Sequence, residues 1–174
     1  WGHDDITASY QRLSLIAEQA VKGCVEHLLS ASPIGSGWVI LALGKLGAGE
    51  LNFSSDIDLI ILHDAKGSQK PASHFIALTR SLSRLLSRQT FDGFGWRVDL
   101  RLRPDMGGGA VSLDIDAAAS YYETTARSWE RAAFIRAKPI AGDCELGKKF
   151  LARIAPFIWR RVRDFTVIDD LQSW

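Results

Sequence analysis

Asp56 and Asp58 stand two residues apart in the run Ser54-Ser55-Asp56-Ile57-Asp58-Leu59-Ile60-Ile61. On a strand, that spacing turns both carboxylates to one side while Ile57 and Leu59 face a core. Two carboxylates so close repel each other, and apolar surroundings add a desolvation penalty. A hard cation relieves both. Magnesium suits such a pair, because it takes oxygen ligands and is commonly shared between carboxylates and substrate phosphates. The plain alternative is a solvated strand end that carries two surface acids.

Three neighbours strengthen the chemical reading. In Arg97-Val98-Asp99-Leu100-Arg101-Leu102-Arg103, polar and apolar residues alternate, so Asp99 shares a face with Arg97, Arg101 and Arg103. A third carboxylate on a neighbouring strand completes a ligand set for two-metal phosphoryl transfer; otherwise it pairs with its own arginines. Leu43-Gly44-Lys45-Leu46-Gly47 reads as a turn directly after a strand. Its glycines let backbone N–H groups approach phosphate oxygens, and Lys45 supplies a point charge, although it is not a Walker motif. Arg101 and Arg103 suit a polyphosphate, which arginine clamps through two hydrogen bonds at once.

The elements that must position these residues follow from the apolar pattern. Leu13, Ile16, Ala17, Ala20, Val21, Cys24 and Leu28 predict an amphipathic helix over 6–29. Trp38 to Leu43 and Ile57 to His63 read as buried strands, with Lys66 to Pro71 a polar loop. Helical spacing returns over Phe75–Arg88, and Arg97–Arg103 reads as a two-faced strand stopped by Pro104 and Gly107-Gly108-Gly109. From Ile115 the reading is helical: Ala117–Thr125, Arg127–Lys138 and Glu145 to about Arg163. The expected fold class is α+β, with strands in the first two thirds and helices around and after them. The expected organisation is an N-terminal helix over 1–35, a core over 36–115, and a helical segment over 116–174 leading to a linker.

Composition narrows the function classes. The 174 residues are 47% hydrophobic, enough for a buried core, and 21 basic against 20 acidic residues leave a formal charge of +1. No polybasic arm or acidic tail points to a membrane surface or bulk nucleic acid. Cys24 and Cys144 form no CxxC, so neither structural zinc nor a disulfide framework is implied. The longest apolar run is far too short for a bilayer, and no signal peptide opens the chain, which makes the cytoplasm the expected location. Met106 is the only methionine, so the chain reads as a piece of a longer protein.

Taken together, these residues resemble the polymerase β-type nucleotidyltransferases, and within them the glutamate–ammonia-ligase adenylyltransferase family. The resemblance rests on three stretches in order. They are Leu43-Gly44-Lys45-Leu46-Gly47-Ala48-Gly49-Glu50-Leu51-Asn52-Phe53-Ser54-Ser55-Asp56-Ile57-Asp58-Leu59, then Arg97 to Pro104, then Trp129-Glu130-Arg131 running on to Ala141-Gly142-Asp143. The family carries two such domains in one long chain. One attaches AMP from ATP to a tyrosine of glutamine synthetase, and the other removes it by phosphorolysis, giving ADP. Asn52-Phe53-Ser54-Ser55 and the segment from Phe157 to Asp169 resemble the N-terminal, adenylyl-removing domain. Two departures stand out: Gly44-Lys45 replaces the superfamily's common Gly-Ser, and Arg136-Ala137-Lys138 replaces Lys-Ala-Arg.

The resemblance implies catalytic and metal-binding roles for Asp56, Asp58 and Asp99 with two Mg2+ ions. It also implies a phosphate cradle of Gly44, Lys45 and Ser55, assisted by Arg101 or Arg103. The substrates are phosphate and ADP, or ATP in the adding direction. The partners are glutamine synthetase and, through a full-length enzyme, a PII-type signalling protein. Glu130 and Arg131 are expected to make structural pairs. The rival readings are AMP addition, a non-catalytic nucleotide-binding regulatory module, and transfer to RNA. The last is disfavoured by the lack of a basic stripe with interleaved aromatics.

Overall fold

The computed structural model describes residues 5–91, 93–102 and 111–159. Helix α1 spans Ile6–Ala31 and opens where the Asp5 side chain accepts from the Thr7 N–H. Ser14, Ala17, Val21 and Val25 form its buried stripe. Strand β1, Trp38–Ala42, is buried at all five positions. The expected turn at Gly44 is instead a short helix α2, Gly44–Ala48, closed by Gly49 at φ 76°. Strand β2 is Ile57–His63, as its apolar run required.

The expected polar loop after β2 contains a single helical turn, α3 (Ala65–Ser68), capped by Asp64. Helix α4 (Ala72–Leu86) buries Phe75, Leu78, Thr79, Leu82 and Leu86. A small ribbon follows, β3 (Gln89–Thr90) and β4 (Gly93–Phe94). Strand β5 is only Val98–Asp99, shorter than the Arg97–Arg103 alternation implied. The chain turns because Asp99 Oδ1 accepts the Arg101 N–H at 2.7 Å, which bends the backbone away from its partner strand. Arg103 and the glycine run after it lie outside the described residues.

The final elements are β6 (Leu113–Asp114), α5 (Ile115–Thr124), α6 (Ser128–Phe134), β7 (Lys138–Gly142) and α7 (Cys144–Ile158). Strand β7 corrects the expectation of helix alone after residue 115. Pro139 and the small pair Ala141-Gly142 conceal a strand that forms by pairing with β1, and tertiary pairing overrides weak local preference.

The main sheet runs β5-β2-β1-β7, with β6 alongside the far end of β2. Strand β1 is antiparallel to both neighbours, whereas β5 and β6 run parallel to β2. Alternation along the strands sorts two cores. Ile40, Ala42, Ile57, Leu59 and Ile61 pack with α1 and α4. Val39, Leu41, Ile60 and Leu62 pack with α5, α6 and α7 on the other face. Asp58 has the parity of Ile60 and Leu62, so it lies on the α5–α7 face, at the end where β2 begins.

Candidate active site

The parallel register of β2 and β5 sets Ile57 against Val98 and Asp58 against Asp99. Two carboxylates from distant parts of the chain are thereby placed on adjacent strands, a spacing of about 4.8 Å. Val98 faces the first core with Ile57, so both acids emerge on the opposite side. Asp56 precedes β2 by one residue and completes the group. Burial, then Asp99, then Asp56 push the Asp58 carboxyl above the usual carboxylate range, while Lys45 and Arg101 pull it down. Among the described residues, no donor is hydrogen-bonded to the Asp58 side chain.

Gly44 explains why that carboxylate fits. A Cβ placed on Gly44 would stand 2.4 Å from Asp58 Oδ2, and Gly44 adopts φ 52°. A residue with a side chain here meets both a steric and a backbone penalty. The glycine therefore leaves room for the carboxylate.

Lys45 and Ser55 come together as expected. The Lys45 ammonium donates to Ser55 Oγ at 3.4 Å, and the Ser55 hydroxyl donates to Asn52 Oδ1 at 2.6 Å. The arginines are arranged differently from the strand reading. Arg101 lies on the turn after β5, and its guanidinium engages both oxygens of Asp99, with Nη2 to Oδ2 at 2.6 Å. Arg97, assigned by alternation to the Asp99 face, instead pairs with Asp56 Oδ1 at 2.5 Å and donates to the Ser54 carbonyl at 2.8 Å. It ties the segment entering β2 to the start of β5. Sequence reading missed this contact, because the residue falls before the regular strand and alternation has no force there. Arg103 lies outside the described residues.

Carboxylate oxygens alone make up the acidic group, and that donor set fits a hard divalent cation. Among the described residues, no three His, Cys, Asp or Glu side chains are gathered into a ready ligand cage. Asp56 and Asp99 each pair with an arginine, and among the described residues Asp58 has no such partner.

The third matched stretch is structural where it is described. Glu130 is 3% exposed and accepts from the Arg127 N–H at 2.6 Å and the Tyr121 hydroxyl at 3.1 Å. Lys138, one of the departures from the family pattern, pairs with Glu18 at 2.7 Å and fastens β7 to α1.

A mixed sheet, helices on both faces, and acids facing each other across a parallel ladder define an α+β domain of the nucleotidyltransferase type. The chain belongs to the glutamate–ammonia ligase adenylyltransferase family, whose model matches residues 6–153. It is similar to proteins named bifunctional glutamine synthetase adenylyltransferase/adenylyl-removing enzyme. The Rhizobium meliloti (strain 1021) relative is 44% identical over 92% of this chain and 18% of its own length. That of Xanthobacter autotrophicus is 41% identical over 99% and 19%. That of Bradyrhizobium diazoefficiens is 47% identical over 80% and 14%. The chain thus spans less than about a fifth of the relatives it matches. Among the described residues, no helix is long and apolar enough to cross a membrane.

Proposed function

We propose that this chain is a nucleotidyltransferase domain that removes AMP from an adenylylated tyrosine of glutamine synthetase by phosphorolysis. The observation that carries the reading is the Asp58–Asp99 register beside Asp56, with the Lys45–Ser55 pair at the same end of the sheet. Asp56 and Asp58 would hold two Mg2+ ions, with Asp99 sharing one of them. When bound, the metal supplies charge neutralisation at the entering and departing oxygens.

The chain's own groups divide the remaining work. Lys45 and Ser55 seat the attacking inorganic phosphate, and Gly44 leaves room for the Asp58 carboxylate. An oxygen of inorganic phosphate forms a bond to the AMP phosphorus as the bond from that phosphorus to the tyrosine oxygen breaks. The tyrosine oxygen leaves with the electron pair and takes up a proton, and the products are ADP and the unmodified tyrosine side chain of the protein. Arg101, most of whose side chain is in solvent, is placed to exchange its hold on Asp99 for a phosphate oxygen. The direction of transfer rests on Asn52-Phe53-Ser54-Ser55, which resembles the removing rather than the adding domain.

The test is incubation of the chain with adenylylated glutamine synthetase, phosphate and Mg2+. Phosphate-dependent ADP release is expected. AMP incorporation from ATP without ADP release would reverse the direction, and no turnover either way would leave a regulatory nucleotide-binding module.

A further inference from the structure

The turn that leads into β2 carries an unpacked aromatic ring. Asn52 to Ser55 form a reverse turn, closed by the Ser55 N–H on the Asn52 carbonyl at 3.2 Å. Phe53 takes its second position, is 81% exposed and belongs to neither core. Such turns favour Gly, Pro, Asn, Asp and Ser, which leave little apolar surface in water. A phenylalanine in solvent here does nothing for packing.

The backbone beneath the ring is held on both sides. Before it, Leu51 is buried and donates its N–H to the Ser14 hydroxyl of α1 at 2.9 Å. After it, the Ser54 carbonyl accepts from Arg97 at 2.8 Å, and the same guanidinium holds Asp56. The Ser55 hydroxyl ties Asn52 to Lys45. Phe53 is thus presented at a fixed place beside the carboxylates, its Cα within about 11 Å of that of Asp56, three residues on. It is also the one exposed apolar side chain in the segment 52–58.

That position selects a class of ligand. Inorganic phosphate has no apolar surface to set against a phenyl ring, whereas a protein does. With a modified tyrosine delivered to the carboxylates, the residues on either side of it pass over the rim of the site, each advancing the chain by about 3.3–3.6 Å. Two or three flanking positions therefore come within reach of Phe53. Aromatic side chains are enriched where proteins meet.

We infer that Phe53 is a specificity residue for the protein substrate: its ring packs against apolar side chains that flank the adenylylated tyrosine. It sets affinity for the protein without touching the reacting atoms. The inference rests on the removal of AMP from a protein tyrosine proposed above, and adds that part of the recognition lies outside the nucleotide.

Phosphorolysis by the full chain, Phe53→Ala and Phe53→Leu should be compared on two substrates with Mg2+ present. One is adenylylated glutamine synthetase; the other is the adenylyl ester of N-acetyltyrosine amide, which has the same bond and no flanking residues. Phe53→Ala should raise KM for the protein roughly tenfold, the order expected for losing the burial of a phenyl ring, with kcat within about twofold. Phe53→Leu should recover most of that loss. On the small ester all three should agree within about twofold, as should their ADP binding by calorimetry. An unchanged KM for the protein overturns the proposal. Equal losses on both substrates, or weaker ADP binding by Phe53→Ala, overturn it too, since the ring would then serve the nucleotide or the turn. Release from the ester but not from the protein removes both the protein substrate and the role of Phe53. Release from neither removes the reaction, and direct binding of the adenylylated protein then decides for Phe53. Binding about tenfold weaker in Phe53→Ala upholds its docking role; equal binding, or none by the parent, ends it.

Discussion

Glu130 and Asp58 are carboxylates on the same face of the sheet, and their surroundings differ in kind. Glu130 is 3% exposed, and its oxygens take the Arg127 N–H and the Tyr121 hydroxyl. It closes the first turn of α6 and links that helix to α5. Asp58 is half-buried beside Asp99 and Asp56, with no hydrogen-bond donor on its side chain among the described residues. A buried polar group is ordinarily satisfied, and one that is not needs an explanation. The satisfied acid holds the fold together. The unsatisfied one has open oxygens, as the proposed metal binding requires.

That contrast can be broken most directly by removing the open acids. Asp56→Asn with Asp58→Asn should lower ADP release by about a thousandfold or more, since metal-borne charge stabilisation is worth several kcal/mol. The circular dichroism spectrum should match the parent's. A double variant with normal phosphorolysis would place Asp58 in the same class as Glu130. Gly44→Ala tests the same acid from its neighbour. The added Cβ must displace the Asp58 carboxylate, and turnover should fall about tenfold to a hundredfold, as misplacement of a reacting group does. Glu130→Ala should do the reverse. It leaves a hydroxyl and an N–H without their acceptor, costing about 2–3 kcal/mol and roughly 5–10 °C in Tm. Activity per folded molecule at low temperature should stay within about twofold, because Glu130 touches none of the proposed machinery.

The two acids were not equally legible in the sequence. The spacing Asp56-x-Asp58 at the head of an apolar run marked the open site, because a period of two has one meaning on a strand. The partnership with Asp99 was legible only as a third acid on some strand; the register that sets it against Asp58 is a tertiary fact. Glu130 was expected to make structural pairs, and its carboxylate accepts from the Arg127 N–H and the Tyr121 hydroxyl. What failed was regularity carried too far. Alternation through Arg103 predicted a long strand, but Asp99 captures the Arg101 N–H and ends it. Helical spacing through Lys138 hid β7, whose stability comes from β1 rather than from its own residues. The turn read at Gly44 is the short helix α2, and the clash that excludes a side chain there comes from Asp58, fourteen positions away.

The smallest expected effect is the most discriminating. Burial, Asp99 and Asp56 all raise the Asp58 carboxyl above its ordinary value of 3.8. A carboxyl whose folded pKa is raised costs stability when ionised, and that cost disappears as the pH falls through the folded pKa towards the unfolded one. Asp58→Asn removes the ionised group. The variant should therefore melt slightly above the parent at neutral pH, by no more than a few degrees because solvent screens a half-buried charge. The gap should close as the pH is lowered towards 3.8. Mg2+ should raise the Tm of the parent and leave that of the variant nearly unchanged, since a ligand stabilises only the state that binds it. The matching substitution Glu130→Gln should show neither a gain at neutral pH nor a loss of the Mg2+ response. A variant at Asp58 that melts below the parent at neutral pH would mean that the carboxylate is held by the fold after all, and the distinction between the two acids would be gone.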